Sequence, residues 1–166
     1  MNMATAAAPT QVLTFSLAGE TYAIAILGIK EIIEYRAPTE VPMMPGCVRG
    51  VINLRGAVVP VLDPQARFGR PSSAIGKRTC IVIVELAQGD ERQIVGLLVD
   101  AVSEVLDIPA GDIEPAPDFG AGIRSDFIAG MGKVRGRFVI LLDVDRLLSV
   151  DEVLSAARPE TAEAVL

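Results

Sequence analysis

Val48-Arg49-Gly50-Val51-Ile52-Asn53-Leu54-Arg55-Gly56-Ala57-Val58-Val59-Pro60-Val61-Leu62-Asp63 places two runs of aliphatic and β-branched residues on either side of Arg55-Gly56. A glycine at the second of two turn positions supplies the positive φ that a tight hairpin needs, so the stretch reads as two antiparallel strands closed at Arg55. The arginine then sits at the tip, its charge in water, while neighbouring valine and isoleucine side chains go inward. Periodicity alone leaves two readings open for it, a solvated turn charge or a contact residue.

The pattern returns in Ile128-Ala129-Gly130-Met131-Gly132-Lys133-Val134-Arg135-Gly136-Arg137-Phe138-Val139-Ile140-Leu141-Leu142-Asp143. Gly50, Arg55, Gly56 and Asp63 fall on Gly130, Arg135, Gly136 and Asp143, so turn residues and strand ends repeat together. Upstream, Ile29-Lys30-Glu31-Ile32-Ile33 resembles Val102-Ser103-Glu104-Val105-Leu106. The chain therefore reads as two related β-rich halves, with the polar loop from Arg70 to Gly76 marking a seam near 70–78.

Between these anchors, Gln11 to Leu17 and Thr21 to Ile26 alternate as a first hairpin around Ala18-Gly19-Glu20. Ile81 to Leu86 and Gln93 to Val99 flank Gln88-Gly89-Asp90 as another, and their nearly unbroken apolar runs predict cover on both faces. Ile29, Ile32 and Ile33 are spaced for one face of a short helix, with Glu31 outward, and Val102 and Val105 are spaced alike. Arg36 to Pro45 and Pro109 to Asp118 read as proline-rich connectors. Asp63-Pro64 opens a helical turn with an aspartate cap, and Asp143 is given the same capping role. Ser149-Val150-Asp151-Glu152 is a capping box that predicts a helix to about Arg158. Residues 1–10 and 159–166 read as tails around a module at 11–158.

With 166 residues, one domain with a substantial core is expected. Apolar residues make up 51% of the chain and mean hydropathy is +0.44, yet no apolar run reaches the roughly 18 residues of a membrane span. The first ten residues lack the basic start and apolar core of a signal peptide, so a cytosolic protein without membrane insertion is expected. A net charge of −6 and only 4% aromatic residues argue against a nucleic-acid partner. Cys47 and Cys80 lack CxxC spacing and read as buried or incidental thiols.

The chain has no histidine. That removes the commonest general base and the commonest transition-metal ligand together. Gly130 to Gly136 has the wrong spacing for a dinucleotide or phosphate loop, Asp112 and Glu114 have no basic partner nearby in sequence, and Ser125-Asp126 has no base to activate the hydroxyl. No catalytic constellation emerges and no cofactor is expected. What remains is an apolar groove rimmed by Arg55 and Glu31, with Ile29, Val102 and Val105 along it, of a kind that suits a partner helix.

Tyr22-Ala23-Ile24-Ala25-Ile26, Lys30-Glu31-Ile32, Gly50-Val51-Ile52-Asn53-Leu54-Arg55-Gly56, Val59-Pro60-Val61-Leu62-Asp63, Gly96 to Leu106 and Pro115-Ala116-Pro117-Asp118-Phe119 closely resemble the CheW chemotaxis coupling family, in order and spacing, over about Gln11 to Leu148. The resemblance implies two small five-stranded SH3/OB-like β-barrels sharing an apolar junction, with short helices and a C-terminal helix. It implies a cytoplasmic, non-enzymatic scaffold recruited to membrane receptor arrays, coupling the cytoplasmic tips of methyl-accepting chemoreceptors to the histidine kinase CheA. Matched by position, Arg55 is the expected receptor contact, with Ile29, Glu31, Val102 and Val105 around it, and Phe119 is the expected anchor for the kinase's homologous barrel domain. Pro64 and Glu114 depart from the family pattern, the second changing charge near the kinase surface. A coupler of another chemosensory pathway, such as pilus motility, shares every one of these features. A small β-barrel hydrolase is the enzyme-class rival, and an activity screen tests it.

Overall fold

The structure, a computed structural model, describes residues 10–71, 74–88, 90–115 and 127–147. Among these residues, eleven strands form two sheets. The first sheet contains β1 (Thr10–Leu17), β2 (Glu20–Ala25), β8 (Ala101–Ile108), β9 (Ile113–Glu114), β10 (Ile128–Val134) and β11 (Arg137–Leu142), in the order β8-β1-β2-β11-β10-β9. The second contains β3 (Ile29–Glu34), β4 (Val48–Leu54), β5 (Ala57–Leu62), β6 (Cys80–Gln88) and β7 (Glu91–Val99), in the order β3-β6-β7-β5-β4. One sheet is thus five-stranded as expected. The other gains a sixth strand from two residues of the proline-rich connector, where Ile113 and Glu114 pair with Gly132 and Met131.

The helical turns expected at Ile29 to Ile33 and at Asp100 to Leu106 are strands. Each contains a register shift, between Ile29 and Glu31 opposite β6, and between Val102 and Glu104 opposite Thr14 and Phe15 of β1. An extra residue in a strand lengthens its two-residue period locally to three. Ile29 and Ile32 therefore stand opposite Val84 and Val82, and Val102 and Val105 opposite Phe15 and Leu13, each pair on one face. A spacing of three suggests a helix, and here a bulge produces it.

The two halves read in the sequence do not correspond to the two sheets. β1 and β2, then β3, then β4 and β5 form one repeat; β6 and β7, then β8, then β10 and β11 form the other. Each sheet takes its first hairpin from one repeat and its remaining strands from the other. The repeats follow one another between β5 and β6, two strands of the second sheet, and the chain passes between sheets at Ile26–Gly28 and at Asp100. The repeats meet at two parallel pairings, β11 with β2 and β5 with β7, and at two antiparallel ones, β8 with β1 and β3 with β6.

This exchange makes the sheets inseparable. Ile81, Ile83 and Leu98 face inward with Ile52, Val59 and Val61 of the second sheet, while Val82, Val84, Leu97 and Val99 face Leu13, Phe15, Leu17, Tyr22 and Ile24 of the first. The strands are covered on both sides, as their unbroken apolar runs require. At about 1.5–3 kcal/mol for each fully buried large side chain, this junction alone gathers more gross apolar stabilisation than the ~5–15 kcal/mol net stability of a domain.

Two short helices seal it. α1 (Pro64–Arg67) starts at Asp63, whose carboxylate accepts from the Gln65 N–H at 3.0 Å, as its capping role predicts. Phe68 then stacks between Tyr22 and Phe127, with ring centroids 5.9 and 6.2 Å apart, and the Arg67 guanidinium lies 4.6 Å above the Phe127 ring. α2 (Val144–Leu147) follows Asp143, which accepts from the Arg146 N–H at 3.2 Å. The helix expected from Ser149 to Arg158 lies outside the described residues. Among those described, no helix is long and apolar enough to cross a membrane.

Candidate functional site

The site is built from the hairpin tip outward. Arg55 and Gly56 have φ of +53° and +89°, so both central turn residues are left-handed, not the glycine alone. Such a turn matches the right-handed twist of its strands. Arg135 and Gly136 repeat it at +52° and +80°, and Ala18 and Gly19 at +53° and +84°. The Asn53 side-chain oxygen accepts from the Gly56 N–H at 2.8 Å, which explains the asparagine two residues before the arginine.

The turn directs the Arg55 side chain across to β3. Its Nη1 and Nη2 each donate to one oxygen of Glu31, the second at 2.8 Å, in the two-pronged geometry natural to guanidinium and carboxylate. The hydrogen bond from Arg55 holds the Glu31 carboxyl below its ordinary value of 4.5, assisted by the charges of Arg36 and Lys30, and Glu31 raises Arg55 in turn. Arg36 also reaches the Asn53 carbonyl at 3.1 Å. Two arginines therefore connect the outer strands of the second sheet, β3 and β4.

Of the residues expected to line a groove, the structure brings Arg55 and Glu31 into direct contact. Ile29 and Val102 are half-buried against the same junction cluster. Val105 shares a face with Val102 but is 48% exposed. Phe119 lies outside the described residues. Sequence reasoning omitted Ile32, which is 42% exposed at the position in β3 that Val105 occupies in β8. The repeat contained that signal, because Ile32 falls on Val105 in the same alignment that pairs Glu31 with Glu104. Val58 and Phe138, exposed by 72% and 53% at equivalent places in β5 and β11, were also omitted. Alternation with buried Val59 and Val139 points both outward.

Nothing in this arrangement forms a reacting centre. Cys47 and Cys80 are half-buried, and burial pushes both thiols up, away from the reactive thiolate. Among the described residues no group of three or more histidine, cysteine or acidic side chains could hold a metal ion. The surface offers an exposed charge pair and apolar side chains on strands, which is the chemistry of recognition.

The sequence profile of the CheW-like domain matches residues 11–152. The chain belongs to the CheW-like family. It is 35% identical to the chemotaxis protein CheW of Klebsiella aerogenes over 141 residues, covering 85% of this chain and 82% of that one. It is 32% identical to the chemotaxis protein CheW of Rhizobium meliloti, covering 86% and 89%. Among solved structures, the scaffolding protein TtCheW from Thermoanaerobacter tengcongensis superposes with a TM-score of 0.76 at 35% identity, over 86% of this chain and 90% of that one. These CheW-like relatives agree with the two-sheet architecture derived above.

Proposed function

We propose that this chain is a non-catalytic coupling scaffold of a chemosensory array, binding the cytoplasmic tips of chemoreceptors and the histidine kinase CheA at once. The observation that carries this reading is the Arg55 and Glu31 pair, which ties the β4–β5 turn to β3, together with the apolar Ile29 and Ile32 of β3 and Val102 and Val105 of β8. Exposed apolar side chains on strands together with a fixed charge pair suit the face of an amphipathic helix. The relatives, chemotaxis proteins and a scaffolding protein, support the same reading.

The mechanism is structural. Holding receptor and kinase on one rigid body raises their effective concentration for each other. A receptor whose signalling states differ in affinity for the scaffold would then shift the kinase between conformations. Phe119 serves the kinase face in this proposal, and the cytoplasm is where the complex assembles.

The test is a calorimetric titration of the full chain with a receptor hairpin tip, beside Arg55→Glu and Arg135→Glu. Arg55→Glu is expected to lose at least tenfold in affinity while Arg135→Glu retains it. Equal binding by all three, with unchanged thermal melts, removes the site from the second sheet. Binding of the CheA barrel domain without binding of the receptor tip leaves a kinase partner only.

A further inference from the structure

Asp63 and Asp143 occupy the same place in the two repeats. The N–H of each donates at 2.7 Å to a carbonyl, that of Cys47 or Phe127, and each precedes a four-residue helix whose N–H groups it accepts. Their surroundings differ in the side chain that meets the carboxylate. Arg49 donates from Nη1 to Asp63 at 3.1 Å and covers it, so that Asp63 is fully buried. The residue aligned with Arg49 is Ala129. Beside Asp143 the structure has a cavity of about 430 Å³ lined by Leu27, Val84, Ala129, Leu142, Asp143 and Asp145 among others.

We propose that this cavity is a docking site for an arginine side chain of a partner protein, carried on a segment with an apolar neighbour. The molecule itself shows what the position accepts, because the first repeat fills it with a guanidinium of its own. The walls offered by Val84, Leu86, Ala129 and Leu142 suit the alkyl stem of an arginine. Asp143 stands where the fork would end, and among the described residues no cation lies within ion-pair distance of it. Asp145 adds a second negative charge at the rim, while Glu85, the remaining acidic wall residue, is already near Lys30 and Arg92 at 3.9 and 3.7 Å. Among the described residues no lysine or arginine lines the cavity. Leu27 is 96% exposed at its edge, which supplies the place for the apolar neighbour. A planar two-pronged donor fits this geometry better than an ammonium point charge. The site uses neither Arg55 nor Glu31, so it stands independently of the receptor reading.

The experiment is a nitrogen-15 correlation NMR titration of the full chain with N-acetyl-arginine amide and, separately, N-acetyl-lysine amide. The expected result is saturable shifts at Ala129, Leu142 and Val144 with the arginine probe, weaker with the lysine probe, and lost in both Asp143→Asn and Ala129→Arg. Asn keeps the capping oxygen, and Ala129→Arg supplies the missing arginine from within, so a thermal melt at or above that of the unmodified chain is expected for the latter. The proposal fails if the wild-type chain shows no shifts, if Ala129→Arg responds undiminished, or if lysine binds as well as arginine. It also fails if methyl contacts from residues 149–158 to Leu27 in the free protein show that the chain's own end occupies the cavity.

Discussion

The two repeats share a backbone and differ in what their side chains do with it. Both hairpins turn on a left-handed Arg-Gly pair, both strands after the turn have the same burial sequence, and both end on an aspartate that caps a helix. Yet Arg55 grips Glu31 with two hydrogen bonds while Arg135 makes one to Glu104 at 3.2 Å. Asp63 is sealed by Arg49 while Asp143 faces a cavity. Features that fix the chain's path are kept twice; features that meet solvent or partners have diverged. At the aspartate, the first repeat supplies an arginine of its own and the second has alanine at the matching position.

The sharpest way to break this comparison is at the glycines that begin each hairpin. Gly50 has φ of +143°, and a Cβ there would lie 2.3 Å from the Thr39 carbonyl oxygen, which is tied to β4 through Val51. At Gly130 the corresponding distance to the Glu114 oxygen is 3.1 Å, without a left-handed φ. Gly50→Ala is expected to lose about 3 kcal/mol or more, and Gly130→Ala about 1 kcal/mol, in urea unfolding. Equal losses would show that the register shifts between Val48 and Gly50 and between Ile128 and Gly130 are held alike.

A smaller contrast is expected at the aspartates. Asp63→Ala removes a buried carboxylate and leaves Arg49 without its ion-pair partner, which costs about 2–3 kcal/mol because Arg49 itself is partly solvated. Asp143→Ala loses only a cap, about 1 kcal/mol. Similar unfolding free energies for both would mean that Arg49 contributes little to burying Asp63.

The least effect belongs to the surface pair. Because the Glu31 carboxyl is held below 4.5, its contact with Arg55 stabilises the fold above the ordinary glutamate range and is lost as pH falls through the lowered value. The difference in urea midpoint between the unmodified chain and Glu31→Gln should therefore be present at pH 7, begin to shrink near 4.5 and disappear once pH has fallen past the lowered value. Glu104→Gln, which breaks a single contact, should shift the midpoint less at pH 7. A Glu31→Gln difference that persists in acid would assign the effect to packing and not to charge.

Much of this was legible before any coordinates. The Arg-Gly turns, the aspartate caps and the doubly covered strands follow from local chemistry, in which glycine supplies positive φ, aspartate accepts helix N–H groups and unbroken apolar runs demand cover on both faces. Arg55 and Glu31 were paired on a groove by the same kind of reading. The bulges were not legible, because an added residue in a strand copies the spacing of a helix, and so Ile29 and Val102 were placed on helical turns. Ile32 was omitted for a related reason, since its outward aspect depends on where the register shifts.

The sequence by itself determined that the chain repeats, where it turns and which residues must leave water, since these depend on neighbours along the backbone. Only the tertiary structure decided that the repeats exchange hairpins, because the pairing of β1 with β8 and of β2 with β11 joins residues far apart in sequence. Likewise only packing decided that one aspartate is sealed and its twin left open, since both contrasts depend on which side chains meet across the fold.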